Sequence, residues 1–208
     1  ASITTSPGVS PAPAPASVAE LLSKGHLRIV AGTRLADELL GSEGLVVVHS
    51  SDLDDAKAIG RTRVDQFAFA DRHPAAGLTR PGDVIFRTGP TAAAWVDVEG
   101  SKVVAYPARV LRITASDPGG LVPEVVAADI TGAASGPGVW RRWMLRRVPP
   151  QAVAPLRAAL AEICGARADL DARAARLSSY ADLLVAGATS GAVTLINPTT
   201  AADAAATQ

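Results

Sequence analysis

A heptad seam in the last third of the chain constrains its fold more than any other feature. Leu156, Leu160, Ile163, Arg167, Leu170, Ala174, Leu177, Ala181 and Leu184 follow one another at a strict alternation of four and three residues. That spacing is the a/d stripe of a coiled coil, whose apolar side must face another helix to leave water. The breaker Pro149-Pro150 precedes it, and from Pro155 to Val185 there is no further Pro and a single Gly, Gly165. About 30 residues can therefore stay helical and span ~45 Å at 1.5 Å per residue. A helix of that length cannot fold back along its whole extent onto a domain of this size, so it reads as an arm that requires a partner. Arg167, Ala174 and Ala181 weaken the stripe, which predicts close, Ala-mediated contact in the distal half.

The remainder of the 208 residues has room for one substantial domain. Hydrophobic residues make up 48% but aromatics only 4%, so Val, Leu, Ile and Ala must fill the core. Twenty basic residues balance twenty acidic ones, which excludes a global field drawing the chain to nucleic acid or anionic lipid; any such contact must be a local patch. The basic residues are mostly Arg, whose planar fork binds phosphates and base edges bidentately; Lys stands only at 24, 57 and 102. The single Cys164 excludes an internal disulfide and a cysteine zinc site, and its place in the helix predicts a buried thiol. No stretch approaches the roughly 18 apolar residues of a membrane span, and no signal segment opens the chain. The expected location is the cytoplasm, in bacterial fashion at the nucleoid. The missing initiator Met fits a segment of a longer polypeptide.

Residues 1–16 are a Pro/Ala/Ser linker, and residues 188–208 an Ala/Thr/Ser tail expected to fray. Ser17 with Glu20 three residues on predicts a capped short helix with Leu21 and Leu22 on its buried side, ended at Lys24-Gly25. From there to 148 the pattern is strand-like. Leu27–Val30 alternates, Leu45–Val48 suits a central strand, and Asp83–Arg87 follows the turn Arg80-Pro81-Gly82. Ala94–Val98 and Val103–Tyr106 flank Glu99–Lys102 as a hairpin. Ala108–Ile113 carries outward Arg and inward aliphatics, Leu121–Asp129 reads as a short helix entered through Asp117–Gly120, and Trp143–Val148 as a last strand. The fold class is α+β (mixed α/β): a strand-rich domain over 17–150, then a long coiled-coil helix over 151–187.

Catalytic chemistry is sparse. His26, His49 and His73 lie apart without metal-ligand spacing, and Asp52, Asp54 and Asp55 form an acidic cluster without partner ligands, read as a solvated loop. Gly132–Gly136 lacks the Lys-Ser/Thr of a phosphate loop, and no Gly-x-Ser-x-Gly elbow occurs. Asn197-Pro198-Thr199 lacks the second Pro and the aromatic of an amino-methyltransferase motif. The chain is expected to hold no metal or cofactor and to be no enzyme.

Four segments in order give the chain a resemblance to a known family. Val18–Leu22 with Gly25 and Gly32-Thr33 is similar to an opening helix and glycine-marked strand. Leu78-Thr79-Arg80-Pro81-Gly82-Asp83-Val84-Ile85 is similar to an L-x-x-GD-[VI]-[LI] strand start, with one extra residue before the Gly. Gly132–Gly138, Trp140 and Leu145–Pro150 match a Gly/Ser loop, last strand and proline exit. Gln151–Leu184 matches a helix with an LDAR core, here Leu170–Arg173. Together they span residues 17–187 and resemble the target-recognition domain and following helix of type I restriction-modification specificity subunits. Two departures stand out: such subunits carry two domains and two helices, and the usual Glu-Gln pair at the helix start is replaced by Val153-Ala154-Pro155. A single copy implies either a half-subunit that dimerises or, favoured by the Pro-rich start, the C-terminal recognition segment of an adenine N6-methyltransferase.

The resemblance implies sequence-specific binding of double-stranded DNA, directing adenine N6 methylation by a separate catalytic domain or subunit that holds S-adenosylmethionine, with a restriction subunit as a further partner. The implied readers are Arg87, Thr88 and Thr91 after the Gly-Asp strand, then Ser135, Trp140, Arg141 and Arg142 around the Gly/Ser loop. Arg61 and Arg63 are candidate phosphate contacts, with Thr33 and Arg34 weaker. The helix would pair with its counterpart through Leu156, Leu160, Ile163, Leu170, Leu177 and Leu184, as a homodimer or within an assembly, and so space two readers. Two rivals remain open: a coiled-coil adaptor with no DNA role, and a small enzyme. A reader should gather Arg87, Arg141 and Arg142 on one concave face; an adaptor should scatter them, and an enzyme should show a deep pocket with buried carboxylates.

Overall fold

The computed structural model describes residues 11–114, 119–136 and 138–193. Most of the Pro/Ala linker, Asp117-Pro118, Pro137, Asn197-Pro198-Thr199 and the rest of the tail lie outside the described residues. The chain is α+β: two four-stranded sheets, short helices, and a long C-terminal helix.

Along the chain, β1 (Ala16–Ser17) leads directly into α1 (Val18–Ser23), then β2 (Leu27–Ala31), β3 (Leu40–Gly41), β4 (Leu45–Val48), β5 (Thr62–Val64) and α2 (Gln66–Arg72). β6 (Asp83–Arg87), β7 (Ala93–Asp97), β8 (Val103–Val104) and β9 (Arg109–Ile113) follow, then α3 (Pro123–Thr131), β10 (Met144–Leu145) and α4 (Pro150–Thr189). Ser17 caps α1 as its spacing predicts, its Oγ accepting the Glu20 N–H at 3.2 Å. The Glu20 carboxylate does not reach back to the cap; it takes Lys24 at 2.7 Å instead. α2 was not anticipated by the reading of residues 25–148 as mostly strand-like. Its signal is Asp65, whose Oδ1 accepts from the N–H groups of Phe67 and Ala68, so the first turn is capped without any Ser or Thr.

One sheet runs β2-β9-β6-β7, all neighbours antiparallel; the other runs β3-β5-β4-β8, with β4 and β8 parallel; β1 and β10 form a separate pair. Every residue of β6 is buried, which follows from its place between two layers. Val84 and Phe86 point to the main core with Leu21, Leu111, Ile130 and Trp143. Ile85 points the other way, towards Val48, Val104 and Val110. This period-two division puts the helical layer on one face and the second sheet on the other. A third cluster, Val47, Val64, Phe69, Val103 and Ala105, closes the second sheet with α2.

The hairpin expected from Ala94–Tyr106 does not form. β7 pairs with β6, while β8 crosses to lie parallel to β4. The cause is the carboxylate of Asp97, fully buried and accepting from Thr79 Oγ1 at 2.6 Å, Lys102 Nζ at 2.8 Å, Gly100 N at 2.9 Å and Glu99 N at 3.2 Å. The 98–102 turn is thereby tied to the 79 loop, further sealed by Ser101 N–H donating to Thr79 O and Thr79 N–H to Lys102 O, and the chain leaves towards the other sheet. The last strand is shorter than expected. Val139–Arg142 forms a 3-10 turn, only Met144 and Leu145 pair, and beyond them Arg146 is held by Asp129.

The long helix α4 begins at the second residue of Pro149-Pro150 and runs 40 residues, ~60 Å. The chain divides into two compact units at Arg157, so the helix begins in the first and continues through the second. Residues 161–186 are exposed on every side. Cys164 is accordingly exposed rather than buried: no face of this stretch is covered, so no site exists to bury a thiol. Ile163, Leu170, Leu177 and Leu184 are each at least 50% exposed, while Leu156 and Leu160 are half-buried.

Candidate nucleic-acid interface

Three segments converge at one end of the β6–β9 pair. β6 delivers Thr88 and Gly89; the β8–β9 connection delivers Tyr106 and Pro107, with Arg109 opening β9. The Gly/Ser loop delivers Gly136, whose N–H donates to Thr88 O at 2.9 Å, and Gly138, whose φ of 71° starts the 3-10 turn carrying Trp140 and Arg141. These segments enclose an open cleft of about 290 Å3. Trp143 steadies the loop from behind, its Nε1 donating to Ala134 O at 2.8 Å.

Arg side chains stacked on aromatics dominate this surface. The guanidinium of Arg109 lies 5.3 Å from the Trp140 ring centre and that of Arg141 lies 5.2 Å from it. Arg34 stands 4.7 Å from the ring of Tyr106, itself about half exposed. Each guanidinium thus lies over an aromatic ring at cation–π distance, which restrains the side chain while its charge is kept. Among the described residues, no carboxylate pairs with Arg34, Arg109, Arg141 or Arg142. Trp140 is both core and platform: it is 8% exposed, and its ring packs 6.1 Å from Phe86.

Arg87, expected to reach a guanine or phosphate, is turned inward. It is 5% exposed and donates from Nε to Thr91 O at 3.0 Å, from Nη1 to Ser50 O at 2.8 Å and to Asp54 Oδ2 at 2.7 Å, and from Nη2 to Thr91 Oγ1 at 2.9 Å and to Asp54 Oδ1. The hydrogen bond it donates to Asp54 holds its pKa above the usual guanidinium value against the effect of burial, and the same bond holds the Asp54 carboxyl below the usual carboxylate range. The acidic cluster is thus a working turn rather than a free solvated loop: Asp54 takes Arg87, Asp52 accepts the His49 N–H and Asp55 the Lys57 N–H.

Thr88 lines the cleft, whereas Thr91 is not among its lining residues and accepts from the buried Arg87. Ser135 is exposed beside Gly136, and Arg142 is exposed at the end of the 3-10 turn. Arg61 and Arg63 are not brought there. Arg63 sits on β5, donates to Gly44 O at 2.9 Å and borders a different groove with Trp95 and Lys102; Arg61 is exposed just before β5. Of the anticipated trio, Arg141 and Arg142 share one turn and Arg87 lies within the frame. Tyr106 and Arg109 were missed as site residues; the available signal was an Arg two residues after Tyr-Pro at the head of an alternating strand. Among the described residues, no group of three or more His, Cys, Asp or Glu is placed to hold a metal ion, and no helix is long and apolar enough to cross a membrane.

No protein-family profile matches the chain, and no curated protein matches it. Among solved structures it is similar to the HsdS subunit from Thermoanaerobacter tengcongensis, with a TM-score of 0.49 and 16% identity over 79% of this chain and 41% of that one. It is also similar to a chain from a structure of complex assembly and conformational transition in a type I restriction-modification system, with a TM-score of 0.49 and 15% identity over 86% of this chain and 45% of that one. The chain spans less than half the length of either.

Proposed function

We propose that residues 17–150 recognise a short duplex DNA sequence on behalf of a restriction-modification methyltransferase. The observation that carries this reading is the cleft. Two loops more than 40 residues apart in sequence are joined by the Gly136–Thr88 hydrogen bond beside an Arg109–Trp140–Arg141 stack that no described carboxylate neutralises. Guanidinium edges fixed in this way suit bidentate donation to guanine O6 and N7 or to phosphate oxygens, and the loop glycines let the backbone approach the duplex closely. Ser135, Arg142 and Thr88 complete the reading surface. Arg87 and Thr91 hold it from within, while Arg63 is tied to Gly44 O and neither it nor Arg61 lines the cleft.

In this reading α4 pairs with a second such helix through Leu156, Leu160, Ile163, Leu170, Leu177 and Leu184, setting the distance between two recognition domains and hence the gap in a bipartite target. Adenine N6 methylation, with base flipping and S-adenosylmethionine, belongs to a separate methyltransferase domain or subunit, and a restriction subunit joins the same assembly.

The test is selection of duplexes from a random pool by the full chain at about 50 and about 200 mM salt. A short recurring motif is expected, bound more weakly at the higher salt as released counterions dictate. Arg109→Ala and Arg141→Ala should each lower affinity, and each should reduce the log–log salt slope by about 0.9 if its fork meets a phosphate or relax one base position if it meets a base. A pool that shows no enriched sequence at either salt would sink the proposal.

A further inference from the structure

At the opposite end of the β6–β9 pair from the DNA cleft lies a second basic feature. Two adjoining hollows of about 310 and 370 Å3 share Pro81, Gly82, Ile113 and Thr114 and form one open groove. Its floor is aliphatic, with Ile113, Leu121, Pro123 and Val153. Its charged lining is Arg28, Arg80, Arg112, Asp83 and Arg157. Asp83 and Arg112 cancel one another, through Arg112 Nε to Asp83 Oδ1 at 2.9 Å and Arg112 Nη2 to Asp83 Oδ2 at 2.6 Å. Arg28, Arg80 and Arg157 are exposed, and no described carboxylate pairs with them. Three unneutralised guanidiniums therefore rim an apolar trough.

We propose that this groove docks an acidic peptide segment bearing aliphatic side chains, supplied by a partner protein. Charge complementarity requires an anionic occupant, and the floor requires one that also buries aliphatic groups. A bare phosphate or a DNA backbone has no use for Ile113, Leu121 and Val153, and no lining residue is aromatic, so a nucleobase has nothing to stack on. Position argues the same way. From Arg109 to Ile113 is four residues of β9, ~13 Å at 3.3 Å per residue, with the cleft open at one strand end and the groove at the other. A duplex seated in the cleft leaves this groove to another ligand. A domain that reads DNA at one end and holds a partner's tail at the other would join recognition to its assembly without any overlap of the two surfaces.

The experiment is panning of a phage-displayed random dodecapeptide library on the full chain, followed by fluorescence anisotropy with the enriched peptide resynthesised. Enrichment of sequences that combine Asp or Glu with Leu, Ile or Val is expected. The Arg28→Glu/Arg80→Glu/Arg157→Glu variant should weaken that peptide at least about tenfold, three exposed ion pairs being removed and reversed, while near-UV circular dichroism stays unchanged. No enriched pattern, or one that survives the triple variant, overturns the proposal. So does a triple variant that keeps its fold but loses affinity for duplex DNA, because the groove would then belong to nucleic acid. The peptide arm needs no DNA, so its failure is distinct from failure of the DNA reading.

Discussion

Replacing Arg87 separates a side chain that reads DNA from one that braces the reader. Arg87→Met keeps the unbranched stem and removes the guanidinium. The loss is five hydrogen bonds to Thr91 O, Thr91 Oγ1, Ser50 O and the two oxygens of Asp54. Asp54 is 64% exposed, so its carboxylate recovers water and adds little to the cost. Ser50 O and Thr91 O lose a charged donor in a part-buried place, where each orphaned acceptor costs about 1–3 kcal/mol. Allowing for partial rehydration, a destabilisation of about 2–4 kcal/mol is expected, below that of breaking a fully buried pair. Urea unfolding of the full chain measures it as a lower midpoint.

DNA binding supplies the second axis. Freed from Arg87, the Thr88–Thr91 loop loosens and one wall of the cleft goes with it, so affinity for the selected duplex falls. If Arg87 only braces, the log–log salt slope stays at the wild-type value; a direct phosphate contact would cut it by about 0.9. Arg87→Lys discriminates further. Lys retains the charge but cannot span both Asp54 oxygens and Thr91 from one planar fork, so it should rescue neither stability nor affinity fully. An Arg87→Met protein as stable as wild type, with a slope smaller by about one phosphate, would refute the reasoning and return Arg87 to the DNA surface.

Three other outcomes follow from the same structure. Burial pushes the Asp97 carboxyl up, but the hydrogen bonds from Lys102, Thr79 and the Gly100 N–H outweigh it and hold it below the usual carboxylate range. A depressed folded-state pKa gives stability that is present above the unfolded value near 4 and is lost as pH falls through the folded one. Asp97→Asn should therefore cost about 2–4 kcal/mol at pH 7, where Lys102 loses its buried counter-ion, and flatten the acid limb of the stability–pH curve below about pH 4. Gly44→Ala meets a φ of 96° and places Cβ 2.2 Å from Val64 O, so the β3–β4 turn, which packs against β5, should be destabilised by at least about 1–3 kcal/mol in thermal or urea unfolding. Leu170→Asp with Leu177→Asp should convert a dimer to a monomer in sedimentation equilibrium, leaving the near-UV spectrum of the first unit unchanged; unaltered association would remove the seam as the pairing surface.

How much of this was legible in sequence depends on how local each cause is. The Ser17 cap, the Pro81-Gly82 turn into β6 and the heptad spacing of α4 are set by neighbours in the chain, and each element appears where its residues place it. The hairpin failed because its turn is bound to Thr79, about 20 residues away, by a carboxylate that looked like an ordinary strand residue. The inward Arg87 is of the same kind. It shares the face of Ile85, and that face is covered by the second sheet and its Ser50–Asp54 turn. Read alone, the end of a strand followed by Thr-Gly-Pro-Thr looks like an exposed rim. The joining of residues 88–91 to residues 135–142 was visible only as two separate Gly-containing loops, because the Gly136–Thr88 bond that unites them is a tertiary contact.

Net charge is a poor guide for such a chain, and the reason is structural. Twenty acids against twenty bases count as neutral, yet the acids are spent selectively. Asp54 takes Arg87, Asp83 takes Arg112, Asp97 takes Lys102, Asp129 takes Arg146, Glu20 takes Lys24 and Glu38 takes Arg72. Asp65, Asp52 and Asp55 are occupied with backbone N–H groups. The cations left without a described carboxylate include Arg34, Arg109, Arg141 and Arg142 around the cleft and Arg28, Arg80 and Arg157 around the groove. Within a Debye length of about 8 Å at physiological salt, a ligand at either place meets a basic surface, whatever the whole chain sums to. Carboxylates that brace the frame, rather than an excess of Arg, are what leave those guanidiniums free, so removing a bracing acid should disturb binding through geometry, and removing a free Arg should disturb it through charge.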